Sequence, residues 1–132
     1  MNFLIDTNIL SELAKPRPDS GVVAWATQQI LFGVSAITIE EMVFGLTHKP
    51  KPRYQALLEE FLAAQCQVFP VTEPISRRAG ELRGALSKRG ITRTQSDMLI
   101  AATAQVHALT VVTRNSGDFA GCGIPVLNPF SV

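Results

Sequence analysis

Four aspartates occur in the 132 residues, and three of them stand where an apolar run ends or a helix begins. Asp6 closes the run Phe3-Leu4-Ile5. Asp97 opens the alanine-rich segment Met98 to Ala104, and Asp118 lies in the polar stretch after Leu109 to Thr113. The fourth, Asp19, sits where a helix cap is needed. Glu41 joins the set because it falls inside a mostly apolar segment, 37–46, which should not bury a carboxylate without a partner. Each acid also has a plain structural reading. Asp6 can cap a helix, Asp97 can face a helix macrodipole, Asp118 is a turn residue in Ser-Gly-Asp, and Glu41 can be the exposed half of the Glu40-Glu41 pair.

Three or four carboxylates brought together cannot all stay ionised unaided, since repulsion raises their pKa values. A hard divalent cation resolves the conflict, and an all-oxygen set suits Mg²⁺ or Mn²⁺. Such a site polarises a phosphodiester, lowers the pKa of a bound water and orients in-line attack. Zinc fits poorly, because His48 and His107 are isolated and neither Cys66 nor Cys122 falls near the acids. Gly-x-Ser-x-Gly, P-loop and dinucleotide-binding glycine patterns are absent from the sequence.

The elements that must position these acids alternate along the chain. Strands are expected at Phe3–Ile5, Gly33–Ala36, Val68–Val71, Leu109–Thr113 and Ile124–Leu127. Helices are expected from Thr7 or Asn8 to about Ala14, from Val22 to about Ile30, over Ile37–Leu46, around residues 53–65, from Thr72 to Lys88 with a stop at Gly90, and over Met98–Ala104. Short apolar strands separated by helices build βα units, hence an α/β domain in three α/β/α layers with a parallel sheet. Ile37, Met42, Val43, Phe44 and Leu46 cover much of their helix, which is expected to be buried, with Gly45 allowing close approach to the sheet. Trp25 is expected in the core.

A mean hydropathy of +0.19 and 46% apolar residues supply one packed core, and residues 1–132 read as a single domain. The net charge of +1 does not announce a polyanion partner, so one must be met by a local patch. Six of the twelve basic residues lie between Arg77 and Arg93. Arg93, Arg89 and Lys88 are the candidate phosphate contacts, because they lead towards Asp97; the bland alternative is a solvated helix face. No signal peptide is visible and no apolar stretch reaches the roughly 18–20 residues of a membrane span, so a cytoplasmic protein is expected.

With these residues in view, Phe3-Leu4-Ile5-Asp6-Thr7-Asn8 and Ile39-Glu40-Glu41-Met42-Val43-Phe44-Gly45 resemble the first two motifs of PIN-domain ribonucleases. Ser96 to Ala104 resembles the third motif. Thr113 to Phe119, followed by Asn128-Pro129-Phe130, resembles the last motif and the tail. The likeness runs in order along nearly the whole chain, at the length of VapC-type toxins. It implies a sheet ordered 3-2-1-4-5, a homodimer and a Mg²⁺- or Mn²⁺-dependent endoribonuclease acting on RNA, restrained by a small antitoxin protein. It further implies that Asp6, Asp97 and Asp118 hold the metal, that Glu41 is the helix-borne acid, and that Thr113 and Asn115 support them. The competing expectation is a non-catalytic RNA- or protein-binding module on the same fold.

Overall fold

A computed structural model describes residues 1–131. Five strands form one sheet in the order β3-β2-β1-β4-β5, with every pairing parallel. They are β1 (Phe3–Ile5), β2 (Phe32–Ser35), β3 (Cys66–Phe69), β4 (Thr110–Val112) and β5 (Val126–Leu127). The helices are α1 (Thr7–Leu13), α2 (Ser20–Ala26), α3 (Ala36–His48), α4 (Pro52–Gln65), α5 (Glu73–Lys88) and α6 (Gln95–Val106). Strand order and layers agree with the sequence-based expectation.

Alternation along the central strands divides the core. Leu4 and Val111 face one side with Ile75, Leu82, Met98 and Ile100 from α5 and α6. Ile5 and Val112, one residue on, face the other side with Ile9, Val22, Phe32 and Leu58, drawing in α1, α2 and α4. Phe32 carries the aromatic centre of that side, with Trp25 at 5.6 Å and Phe61 at 5.3 Å between ring centroids. Trp25 is half-buried there, as a core residue.

The caps decide which side chains are free for other work. Asp6, rather than Thr7 or Asn8, caps α1, its Oδ1 accepting from Thr7 N at 2.8 Å. Ser35 caps α3 and Asp19 caps α2. Thr94 caps α6, which places Asp97 in the first turn of that helix and not before it. α5 stops as expected at Gly90, whose φ of 79° is the left-handed geometry a helix terminus favours in glycine.

Four expectations need correction. α2 ends at Ala26, four residues before Ile30, because Gln28 N and Gln29 N turn back in short three-residue bonds to Trp25 O and Ala26 O. β3 ends before Pro70, which supplies no N–H to a ladder. α3 is not enclosed: Thr38 and Met42 are buried, but Val43 is 49% and Phe44 69% exposed, so its apolar residues cover more of its surface than the core accepts. Gly45 is likewise not a close-approach position, since a Cβ there would meet nothing within 4 Å. Among the described residues no helix is long and apolar enough to cross a membrane.

Candidate active site

The strand order reverses between β1 and β4: the chain first builds outward from β1 to β2 and β3, then returns to place β4 and β5 on the other flank. In open parallel sheets a crevice lies at such a reversal, outside the carboxyl ends of the two strands; here α1 follows β1 and the 3-10 turn Ser116–Phe119 follows β4. Asp6 follows β1 and Thr113 follows β4, in register through the Ile5–Val112 pair. Backbone bonds carry the sheet one step further, from Asp6 N to Val112 O at 2.9 Å and from Thr113 N to Leu127 O at 2.9 Å.

This register lets Thr113 Oγ1 donate to Asp6 Oδ2 at 2.9 Å. Asn8 Nδ2 lies 3.3 Å from Asp6 Oδ2 and 3.2 Å from Thr113 Oγ1, while Asn8 Oδ1 accepts from Arg114 N at 3.0 Å. Asn115 adds its backbone N–H, which donates to Thr113 Oγ1 at 3.0 Å, and the residue itself is exposed. Asp6 and Thr113 are both buried in this mesh. A buried carboxylate surrounded by donors, with one oxygen on a helix N-terminus, has a fixed direction.

Glu41 reaches the same crevice from α3, its Oε1 accepting from Thr7 Oγ1 at 2.9 Å. Burial pushes the Glu41 carboxyl above its ordinary range against the pull of Thr7, and the charges of Asp6, Asp97 and Glu40 push the same way. Asp97 is also raised, by burial first and then by Asp6 and Asp118; its bond to Thr94 and the charge of Arg93 act against the rise. Asp6 therefore acts on both Glu41 and Asp97, and Asp118 acts on Asp97. Glu41 is half-buried and bonded to Thr7, whereas Glu40 is exposed. Asp118 stands at the outer edge, exposed on a single 3-10 turn, Ser116–Phe119, anchored by buried Phe119.

Among the described residues no three histidine, cysteine, aspartate or glutamate side chains close into a ready cation cage. An open set of carboxylates with no histidine or thiolate matches the donors of Mg²⁺ or Mn²⁺, which retain waters and take only a few protein oxygens. The donor set fits such an ion, and the raised pKa values of Glu41 and Asp97 reflect burial first and neighbouring carboxylates after it.

The basic residues divide. Arg77 pairs with Glu73 at 2.9 Å, Arg78 lies 3.9 Å from Glu81, and Arg78 Nε donates to Gln105 Oε1. Lys88 and Arg89 are exposed at the end of α5. Arg93, the third candidate phosphate contact, bonds within the chain: Nη1 donates to Asp118 O, and Nη2 donates to Ala120 O at 2.9 Å.

Sequence reasoning assigned Thr7 and Asn8 only to capping, and it missed Thr94 as a site residue. Their signal was position: two polar residues in the turn after an acid-ended strand, and one three residues before Asp97. Lys49 and Lys51 were likewise not singled out as site residues. They line a cleft of about 350 Å³ with Thr7, Ser11, Glu41 and Tyr54, which places two cations on the approach to the acids.

The PIN domain family model matches residues 3–121. Toxin FitB from Neisseria gonorrhoeae is 34% identical, the alignment covering 97% of this chain and 98% of that protein. The crystal structure of FitAcB from that organism contains a chain that superposes with a TM-score of 0.82 at 34% identity, over 96% of this chain and 97% of that one. The VapC ribonuclease Y4jK of Sinorhizobium fredii is 32% identical over 97% of both chains. A chain of a toxin–antitoxin complex from Klebsiella pneumoniae aligns with a TM-score of 0.74 and 27% identity, covering 98% of each. The fold, the ordered motifs and these full-length likenesses agree: the chain belongs to the PIN-domain family.

Proposed function

We propose that this protein is a divalent-metal-dependent endoribonuclease and the toxin of a toxin–antitoxin pair. One observation carries the reading. Burial and the charges of Asp6 and Asp97 raise the pKa of Glu41, and burial and the charges of Asp6 and Asp118 raise that of Asp97, beside the bond from Thr113 Oγ1 to Asp6 Oδ2 that joins the carboxyl ends of β1 and β4. A structural role does not need half-buried carboxylates gathered beside one another, whereas a cation site does. The ribonuclease and toxin names of full-length relatives support the same conclusion.

Asp6, Asp97 and Asp118 would hold Mg²⁺ or Mn²⁺, which supplies Lewis-acid polarisation of a phosphodiester and a hydroxide-like nucleophile at neutral pH. The chain's own groups do the rest. Thr113 and Asn8 hold the Asp6 carboxylate in one orientation. Glu41, held by Thr7 Oγ1 at the edge of the same crevice, is placed to take a proton from the attacking water. Lys49, Lys51, Lys88 and Arg89 offer exposed cations to RNA phosphates. Sparse exposed aromatics speak against a base-stacking platform.

The exposed apolar residues of α3 and α4, Val43, Phe44 and Leu57, supply surface for protein partners, namely a small antitoxin and a second copy of the chain. The test is brief induction of the toxin without its partner, followed by sequencing of newly made RNA ends. New ends at defined positions for the wild type, absent for Asp97→Asn, support the proposal. An identical end profile for both proteins contradicts it.

A further inference from the structure

We infer that Arg93 and Thr94 form a two-residue brace that sets the separation between Asp97 and Asp118, and that Arg93 is a positioning residue for the cation site. The inference rests on the proposed metal-dependent function. Arg93 and Thr94 are consecutive, yet they bind the backbones of two different acids. Thr94 Oγ1 accepts from Asp97 N at 3.1 Å, fixing the first turn of α6. Arg93 sends one terminal nitrogen to Asp118 O and the other to Ala120 O, gripping the far end of the 3-10 turn.

That turn needs an external hold. Its leading residue, Asn115, makes no side-chain capping bond, and Gly117 lies inside it. Its internal ties are the bonds from Asp118 N to Asn115 O at 3.0 Å and from Ala120 N to Gly117 O at 3.3 Å. Phe119 anchors the turn to the core on one side. Arg93 is the cation that grips it from the other. A guanidinium spans two carbonyls with its planar fork, which the single ammonium of lysine cannot do. Arg93 therefore ties Asp118 to α6 through main-chain contacts, and it does so without occupying either carboxylate.

The competing role is a direct phosphate contact, and the two roles separate in Arg93→Lys. The purified full chain is titrated with MnCl₂ alone by calorimetry, and amide hydrogen exchange is followed over residues 115–121 without metal or RNA. A brace predicts that Arg93→Ala and Arg93→Lys both weaken Mn²⁺ binding about 10–100-fold. Both should speed exchange in the 3-10 turn, and both should lower kcat for RNA with KM changed less than about twofold. If Arg93→Ala does not melt cooperatively, Arg93→Gln takes its place with the same expectations. Unchanged Mn²⁺ affinity and exchange, with RNA binding lost in Arg93→Ala and restored in Arg93→Lys, would overturn the brace in favour of a phosphate contact. Failure of the wild type to bind Mn²⁺ would sink the metal reading and the metal role of the brace together. The exchange arm then still decides whether Arg93 holds the turn.

Discussion

Thr113 Oγ1 donates to Asp6 Oδ2 at 2.9 Å across 107 residues of sequence, joining β1 to β4 where the strand order of the sheet reverses. The hydroxyl is fully used, because its oxygen also accepts from Asn8 Nδ2 and Asn115 N. Thr113→Val keeps the shape and deletes all three bonds inside a buried site. We expect a loss of about 1–3 kcal/mol in urea unfolding from the stranded polar groups. RNA cleavage should fall about 10–100-fold, since Asp6 loses the group that aims it. Thr113→Ser should keep most of both, and equal damage from Ser and Val would show that the methyl group, not the hydroxyl, matters.

Glu41 and Asp97 lead to a pH prediction. Burial, then neighbouring carboxylates, raise both pKa values in the folded protein above their ordinary values. The native state therefore holds protons that the unfolded chain has already released. Stability without metal must fall as pH rises from the unfolded values through the raised ones, and must stay reduced above them. Glu41→Gln and Asp97→Asn should accordingly raise the Tm measured in EDTA at pH 7 and flatten its decline above pH 4. Mn²⁺ should raise the wild-type Tm much more than that of either variant. A lower Tm for both variants in EDTA would mean that the carboxylates are stabilising, contrary to the crowding described above.

Thr94 offers a local test of α6. Its side chain is the N-cap, and Asp97 is the third residue of the helix it starts. Thr94→Ala should cost about 1 kcal/mol in denaturant unfolding, and Thr94→Ser should cost much less. Activity should fall together with the cap, because Asp97 N loses its acceptor. Full activity in Thr94→Ala would show that the helix start holds Asp97 without the cap.

The chain's last described residues are tied to α2. Asp19 Oδ2 accepts from Gly21 N, Val22 N and Ser131 N, and Asp19 Oδ1 accepts from Ser131 Oγ. Those donors hold the Asp19 carboxyl at about 2, below its ordinary 3.8. A depressed pKa stabilises the fold above pH 3.8 and loses that effect as pH falls to about 2. Asp19→Asn should therefore lower Tm at neutral pH and erase its acid dependence in that window. Gly21→Ala tests the same junction sterically, since a Cβ there would collide with Pro129 O and come within 2.7 Å of Ser131 N. Faster amide exchange or protease clipping of residues 129–131 is the expected result.

Much of the architecture was legible because alternating βα units leave few alternatives. Phe3-Leu4-Ile5 and Thr110-Val111-Val112 are short apolar runs buried on both faces, as central parallel strands must be. The strand order, by contrast, came from family resemblance, since nothing local in β4 says that it returns to pair with β1. The acids were visible as residue types at element boundaries. Their supports were not, because Asp6 took the cap and released Thr7 and Asn8 for contacts reaching 34 and 105 residues along the chain. The contacts of Arg93 escaped for the same reason: the carbonyls it grips lie 25 and 27 residues away. The exposure of Phe44 also escaped, since an apolar count around a helix does not tell which residues face a partner and which face the core.

The central claim is that Asp6 and Asp97 anchor one divalent cation that is required for RNA cleavage. It is tested by single-turnover cleavage of RNA by antitoxin-free protein across a Mn²⁺ titration, for the wild type, Asp6→Asn and Asp97→Asn, with far-UV circular dichroism of each. The account predicts saturable, EDTA-reversible cleavage by the wild type. It predicts loss of about 10²-fold or more in both variants, as expected when a group acting in the transition state is removed, with unchanged spectra. Metal-independent cleavage, or wild-type rates in either folded variant, would contradict it.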